Sequence, residues 1–141
     1  MSNCRISHTM ARNLFCVLSL LVADLAQAEV VVVVGTSSPT STLSKDQSSD
    51  IFLGRNTSLI PLDQPISSPL RDEFYSKVTG KSASQAKAYW SKLSFTGKGT
   101  PPKEGNNSDD IKRLVANNPK LVGYIEKSAV DGSVKVIFSA E

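Results

Sequence analysis

Five consecutive valines, Val30 to Val34, follow Glu29 without a polar residue among them. A β-branched run without alternation predicts a central strand covered on both faces, as in an α/β sheet. Downstream the apolar spacing becomes helical. Ser44 to Leu53 reads as a first helix, with Ser44 and Gln47 in capping-box spacing, Gly54 beyond its end, and Ile51, Phe52 and Leu53 docking it. Ser58 to Leu62 reads as a second strand, Pro61 marking its end. Ser68 and Pro69 suit the cap and first position of a second helix, which carries Leu70, Phe74, Tyr75 and Val78 on one face and stops at Gly80. Ser82 and Gln85 cap a third helix that buries Ala86, Tyr89, Trp90 and Leu93. Ser94 to Asn107 reads as a long loop. Ser108 is the expected cap of a fourth helix, with Asp109 and Asp110 at its positive end and Ile111, Leu114 and Val115 facing inward. Leu121 to Ile125 and Ser133 to Phe138 complete the strands, joined by a helical turn at Lys127 to Val130. The order β-α-β-α-α-loop-α-β-β predicts an α/β fold, a mixed β-sheet with packed helices.

The first 28 residues read differently. Arg5 and Arg12 precede the apolar run Leu14 to Val22, and Ala26-Gln27-Ala28 follows. This is the pattern of a cleaved signal peptide, and the run is too short to span a bilayer. The expected organisation is a signal peptide, 1–28, and a single domain, 29–141, exported to the periplasm. No small residue precedes Cys16, so no lipid anchor to a membrane is expected.

Cleavage would remove Cys4, Cys16 and His8, the only cysteines and the only histidine. A disulfide, a thiolate nucleophile, a Ser-His pair and a His or Cys metal site are then excluded, so no catalytic residue, metal or cofactor is expected. The full chain carries 16 Lys and Arg against 13 Asp and Glu, net +3, too balanced to predict a nucleic-acid or membrane partner. The pairs Asp72/Glu73 and Asp109/Asp110 sit in first helical turns, where acids oppose the helix dipole favourably, and not as a general acid and base. Gly97-Lys98-Gly99 lacks the Ser or Thr that follows the lysine of a nucleotide-binding P-loop, and Gly80-Lys81-Ser82 lacks the upstream glycine, Tyr75 standing there.

What remains is anion chemistry. A capped helix start directs free N–H groups and the positive end of its dipole into the preceding loop, here Ser67 and Ser68, with Arg71 one turn on. As a cap alone, Ser68 is worth roughly 1 kcal/mol. Ser37 and Ser38 follow the first strand directly, where ligands bind in open α/β sheets, and serve equally well as turn residues. Thr96-Gly97-Lys98 could turn a hydroxyl, backbone N–H groups and a lysine toward an anion.

Two segments carry a family resemblance. Ser44 to Arg55 (SKDQSSDIFLGR) resembles the "IFLGK" helix of phosphate-type periplasmic solute-binding proteins, and Leu121 to Ile125 (LVGYI) resembles their "IGYV" strand. Phe74, Trp90 and Gly97-Lys98-Gly99 lie between them in the family order. The chain is most similar to a short exported family of phosphate ABC transporter substrate-binding-like proteins. This resemblance implies one lobe of the type II periplasmic-binding-protein fold. Its implied ligand is phosphate or another small oxyanion, and its implied partners are an ABC transporter permease or a second copy through self-association. It places the serine of the family's phosphate-binding helix start at Ser68. Pro69 stands where that segment has a small residue, and Asp63 stands near the place of its strand-end arginine. The alternative is a single-lobe interaction or accessory protein that has lost tight ligand binding.

Overall fold

The computed structural model describes residues 29–141, so the expected signal peptide lies outside the described residues. The valine run forms β1 (Val30–Gly35), buried at every position. It lies inside a five-stranded sheet of order β3-β2-β4-β1-β5, in which β2 is Ile60–Asp63, β3 Lys103–Glu104, β4 Leu121–Glu126 and β5 Val134–Ala140. β1 is antiparallel to both its neighbours, Val32 pairing with Tyr124 on one side and Phe138 on the other. β2 runs parallel to β4 and to β3, so the sheet is mixed as expected.

The burial of β1 on both faces follows from three layers. Val30, Val32 and Val34 face a core with Phe52 of α1 (Lys45–Phe52), Phe74 and Tyr75 of α2 (Pro69–Thr79) and Ala86 of α3 (Ala83–Phe95). Val31 and Val33 face the opposite core, with Ile111 and Val115 of α4 (Ser108–Asn117). Each alternate valine therefore serves a different layer, and a polar residue at any of the five positions would be buried without a partner. Aromatic packing fixes the first layer: Phe74 stacks on Tyr124 with centroids 3.9 Å apart, and Phe52 meets Phe74 edge-on at 4.7 Å.

Helix boundaries follow the expected signals with two exceptions. Ser44 and Ser82 both form complete capping boxes. Gly80 ends α2 with φ +71°, a left-handed conformation open to glycine at little cost. The expected cap at Ser108 is instead Asn107, whose Oδ1 accepts from the Asp110 N–H at 2.8 Å; Ser108 is already helical. The expected loop 94–107 is shorter, because α3 continues to Phe95 and Lys103–Glu104 add to the sheet edge. The second strand begins at Ile60, after an Asn56 side-chain turn to the Ser58 N–H, and continues to Asp63. Tyr89 and Leu93 are half-buried, and Ala86 and Trp90 carry the buried face of α3.

α4 lies unusually close to the sheet. A Cβ on Gly123 of β4 would fall 2.4 Å from Ile111 Cγ2, and one on Gly35 would fall 2.3 Å from the Val115 carbonyl oxygen. Gly123→Ala should therefore lower the unfolding free energy by about 1–3 kcal/mol through overpacking. Combined with Ile111→Ala it should cost less than the sum of the single substitutions, since the second removes the Cγ2 methyl group that meets the added Cβ. Urea unfolding of the double-mutant cycle measures this; strict additivity would show that the contact does not limit the approach of the helix.

Candidate functional site

Because β2 and β4 are parallel, their carboxyl ends open on the same edge of the sheet. A cleft of about 620 Å³ lies there. Ser67 and Ser68, at the start of α2, form one wall; Asn107, Ser108 and Asp109, at the start of α4, form the other. Gln64 is at its base, and Glu126 and Ser128 come from the exit of β4. Two helix N-termini thus face one space. In α2 Pro69 has no N–H and the Arg71 N–H donates to the Ser68 carbonyl, which leaves the Leu70 N–H; in α4 the Asp110 N–H is taken by Asn107 Oδ1, which leaves those of Ser108 and Asp109.

Behind the cleft lies a buried carboxylate. Asp63, 1% exposed, accepts from Tyr75 Oη at 2.7 Å, from the Tyr124 hydroxyl and from the Gln64 N–H at 3.1 Å. Arg71 Nη2 stands 3.6 Å from Oδ2, the oxygen that accepts from Tyr75. Burial raises the Asp63 pKa above its ordinary value, and the two tyrosine hydroxyls, Arg71 and the Gln64 N–H only partly offset this. Burial together with the Asp63 charge pushes both tyrosine hydroxyls up, so they remain protonated donors. Asp63 points into the core and not into the cleft, since it does not line it.

Gln64 links this cluster to the cleft. Its Nε2 donates to the Tyr124 carbonyl at 3.1 Å and to Ser108 Oγ at 2.9 Å, and Ser108 Oγ in turn donates to Glu126 Oε2 at 2.5 Å. The carbonyl contact fixes which end of the amide is nitrogen. Its Oε1 accepts no hydrogen bond from the described residues.

Of the residues proposed from the sequence, Ser67 and Ser68 reach the cleft. The Ser68 side chain makes no capping bond, contrary to expectation, which leaves its hydroxyl available. Arg71 is held by the Gln64 carbonyl at 3.0 Å and Glu104 Oε1 at 2.6 Å as well as by Asp63, and it does not line the cleft. Ser37 and Ser38 lie at the other end of the sheet, because β1 runs antiparallel to β4 and Gly35 pairs with Val134. Ser38 is buried there, its Oγ accepting from the Thr40 N–H and its carbonyl from Lys135 Nζ. Thr96, Gly97 and Lys98 form the C-terminal turn of α3. Their N–H groups donate to the Lys92, Ser94 and Leu93 carbonyls, and Gly97 takes φ +69°. That is the negative end of a helix, with its backbone donors engaged. Lys98 borders a second, apolar groove of about 830 Å³ with Leu59, Ile60, Trp90 and Pro102.

Sequence reasoning did not select Gln64, Asn107, Ser108, Glu126 or Ser128 as site residues. A signal existed for the last two, which stand at and just beyond the end of a strand, much as Ser37 and Ser38 do. Strand direction, which no local pattern encodes, decides which strand exits share an edge.

No protein-family model matches the chain, and no curated protein is significantly similar to it. Solved structures are similar in fold. A protein from Clostridium perfringens assigned as a phosphate ABC transporter substrate-binding protein, solved with bound phosphate, superimposes with a TM-score of 0.63 at 23% identity, covering 77% of this chain and 44% of that one. An ABC-type phosphate transport receptor from Vibrio cholerae gives 0.62 at 23% identity, covering 77% and 45%. PstS from Borrelia burgdorferi gives 0.57 at 8% identity, covering 77% and 46%. The chain therefore has the fold of one lobe of such a binding protein, as the sequence resemblance implied, and spans less than half the length of these structures.

Two outcomes follow from this geometry. Ser82→Ala should destabilise by about 1 kcal/mol through loss of a bonded cap, whereas Ser68→Ala should cost only a few tenths, as measured by thermal or urea unfolding. A folded-state pKa above the unfolded value means that Asp63 favours the fold most at low pH, and that this contribution is lost as pH rises through its folded value. The stability of wild type relative to Asp63→Asn should accordingly fall as pH rises from about 4 and then level off. A difference that grows with pH in urea unfolding would contradict the sign.

Proposed function

We propose that this lobe, which shares its fold with phosphate substrate-binding proteins, binds phosphate or a related small oxyanion in the cleft at the carboxyl ends of β2 and β4. The observation that carries the reading is the meeting of two helix N-termini there, with the Ser67 and Ser68 side chains beside the start of α2. Oriented N–H groups and helix dipoles stabilise negative charge without a dedicated cation. Ser67 and Ser68 supply hydroxyl donors, and Asn107 and Ser108 hold the start of α4 in place. No arginine or lysine lines the cleft, whereas two carboxylates, Glu126 and the largely exposed Asp109, do. A bare anion would meet them unfavourably, but an oxyanion that keeps a proton can donate to Glu126.

In this reading the protein is exported by its first 28 residues, acts in the periplasm as a solute-binding-like protein, and presents its ligand to an ABC transporter permease. The three compared structures, two of them named for phosphate transport or substrate binding, support the transport role. The Ser37, Ser38 and Thr96 to Lys98 segments do not line this cleft, and Arg71 is linked to it through the Gln64 carbonyl.

A second reading, an accessory protein that works by docking, is favoured by the apolar groove beside Trp90, where Ile60 is 50% exposed. Ligand at a hundred times its Kd raises stability by about 2.7 kcal/mol. Phosphate should therefore raise the melting temperature of residues 29–141 at neutral pH, and equimolar sulfate, which carries no proton there, should raise it less. Replacing both Ser67 and Ser68 by Ala should reduce the phosphate response. If millimolar phosphate produces no shift while sedimentation shows a stable dimer, the docking reading replaces the anion reading.

A further inference from the structure

The oxyanion reading does not account in full for two features of the same cleft. The first is size. A volume of about 620 Å³ lies in the range of sites for small organic ligands and far exceeds what a single tetrahedral oxyanion fills. The second is an acceptor-rich base. Gln64 is 2% exposed and its Nε2 is fully engaged by Tyr124 and Ser108, so the amide brings an unpaired Oε1 to the cleft lining. Ser108 is fixed as donor to Glu126 Oε2, because its own oxygen already accepts from Gln64. Glu126 has no ion-pair partner among the described residues. An amide oxygen and a carboxylate therefore call for donors on the ligand, ideally cationic ones, while the helix starts at Ser68 and Asn107 call for an anion.

We infer that the cleft takes a zwitterion, a phosphate or phosphonate bearing an ammonium group on a short alkyl arm, with the oxyanion at the helix starts and the ammonium between Gln64 Oε1 and Glu126. This rests on the oxyanion reading and adds the substrate class. The ligand's own cation supplies the charge that the cleft lacks, and the alkyl arm accounts for the extra volume.

The test compares 2-aminoethyl phosphate, ethyl phosphate and inorganic phosphate by calorimetric titration of the mature protein at neutral pH. The amine should lower Kd roughly tenfold or more relative to ethyl phosphate, the scale of one charge-assisted hydrogen bond. Glu126→Gln, which keeps the shape and the Ser108 contact, should bring that ratio close to one, whatever it does to the absolute affinities. Equal binding of the two esters by the wild-type protein would overturn the zwitterion assignment and leave the oxyanion reading standing. A preference for the amine that survives Glu126→Gln would overturn the role given to Glu126. If none of the three compounds binds, both readings fall.

Discussion

A carboxylate taken out of water is costly unless it is surrounded by donors, and Asp63 is placed at the end of β2 with almost no exposure. Its surroundings meet part of that demand, with Tyr75 and Arg71 from α2, Tyr124 from β4 and the Gln64 N–H. None of these groups can move far without leaving the carboxylate with fewer partners, which is costly in a protein interior. The backbone carbonyl of the same residue accepts from Gly105 beyond β3, so Asp63 ties the second helix, the central parallel pair and the sheet edge to a single point.

The cleft inherits its geometry from that point. Gln64 follows Asp63 in sequence, and its backbone is held from both sides by Tyr124 and Arg71. Its side chain has one arrangement compatible with the Tyr124 carbonyl, and this sets the direction of the hydrogen bonds through Ser108 to Glu126. Arg71 supports this arrangement from behind and at the same time fixes Glu104 of the edge strand. An arginine near an oxyanion site usually suggests direct contact with the ligand. Here the burial of Asp63 draws the guanidinium to the protein's own carboxylates, and the cleft is lined by two helix termini and hydroxyls without it.

The legible parts of the chain were those whose signal is local. Ser44 with Gln47 and Ser82 with Gln85 marked helix starts because capping is an interaction over three residues. Gly80 marked a stop because its conformation suits glycine. The cap at Ser68 was a local signal that failed: the Ser-Pro pair defines the helix start, yet the hydroxyl makes no capping bond. The edge strand Lys103–Glu104 carried no signal, since two charged residues have no period and join the sheet only because β2 offers an open edge.

The sequence by itself determined a valine strand buried on both faces, four helices with their apolar sides, and a mixed α/β sheet, because these follow from short-range periodicity and backbone preferences. It also singled out the helix start at Ser67 and Ser68, which does reach the cleft. Only the tertiary structure decided which loops share that space. β1 runs against β4, so Ser37 and Ser38 leave at the far end of the sheet, while the parallel course of β2 and β4 brings Gln64 and Glu126 together. Strand direction and order are set by the packing of whole layers, and residues 62 positions apart meet at the cleft for that reason alone.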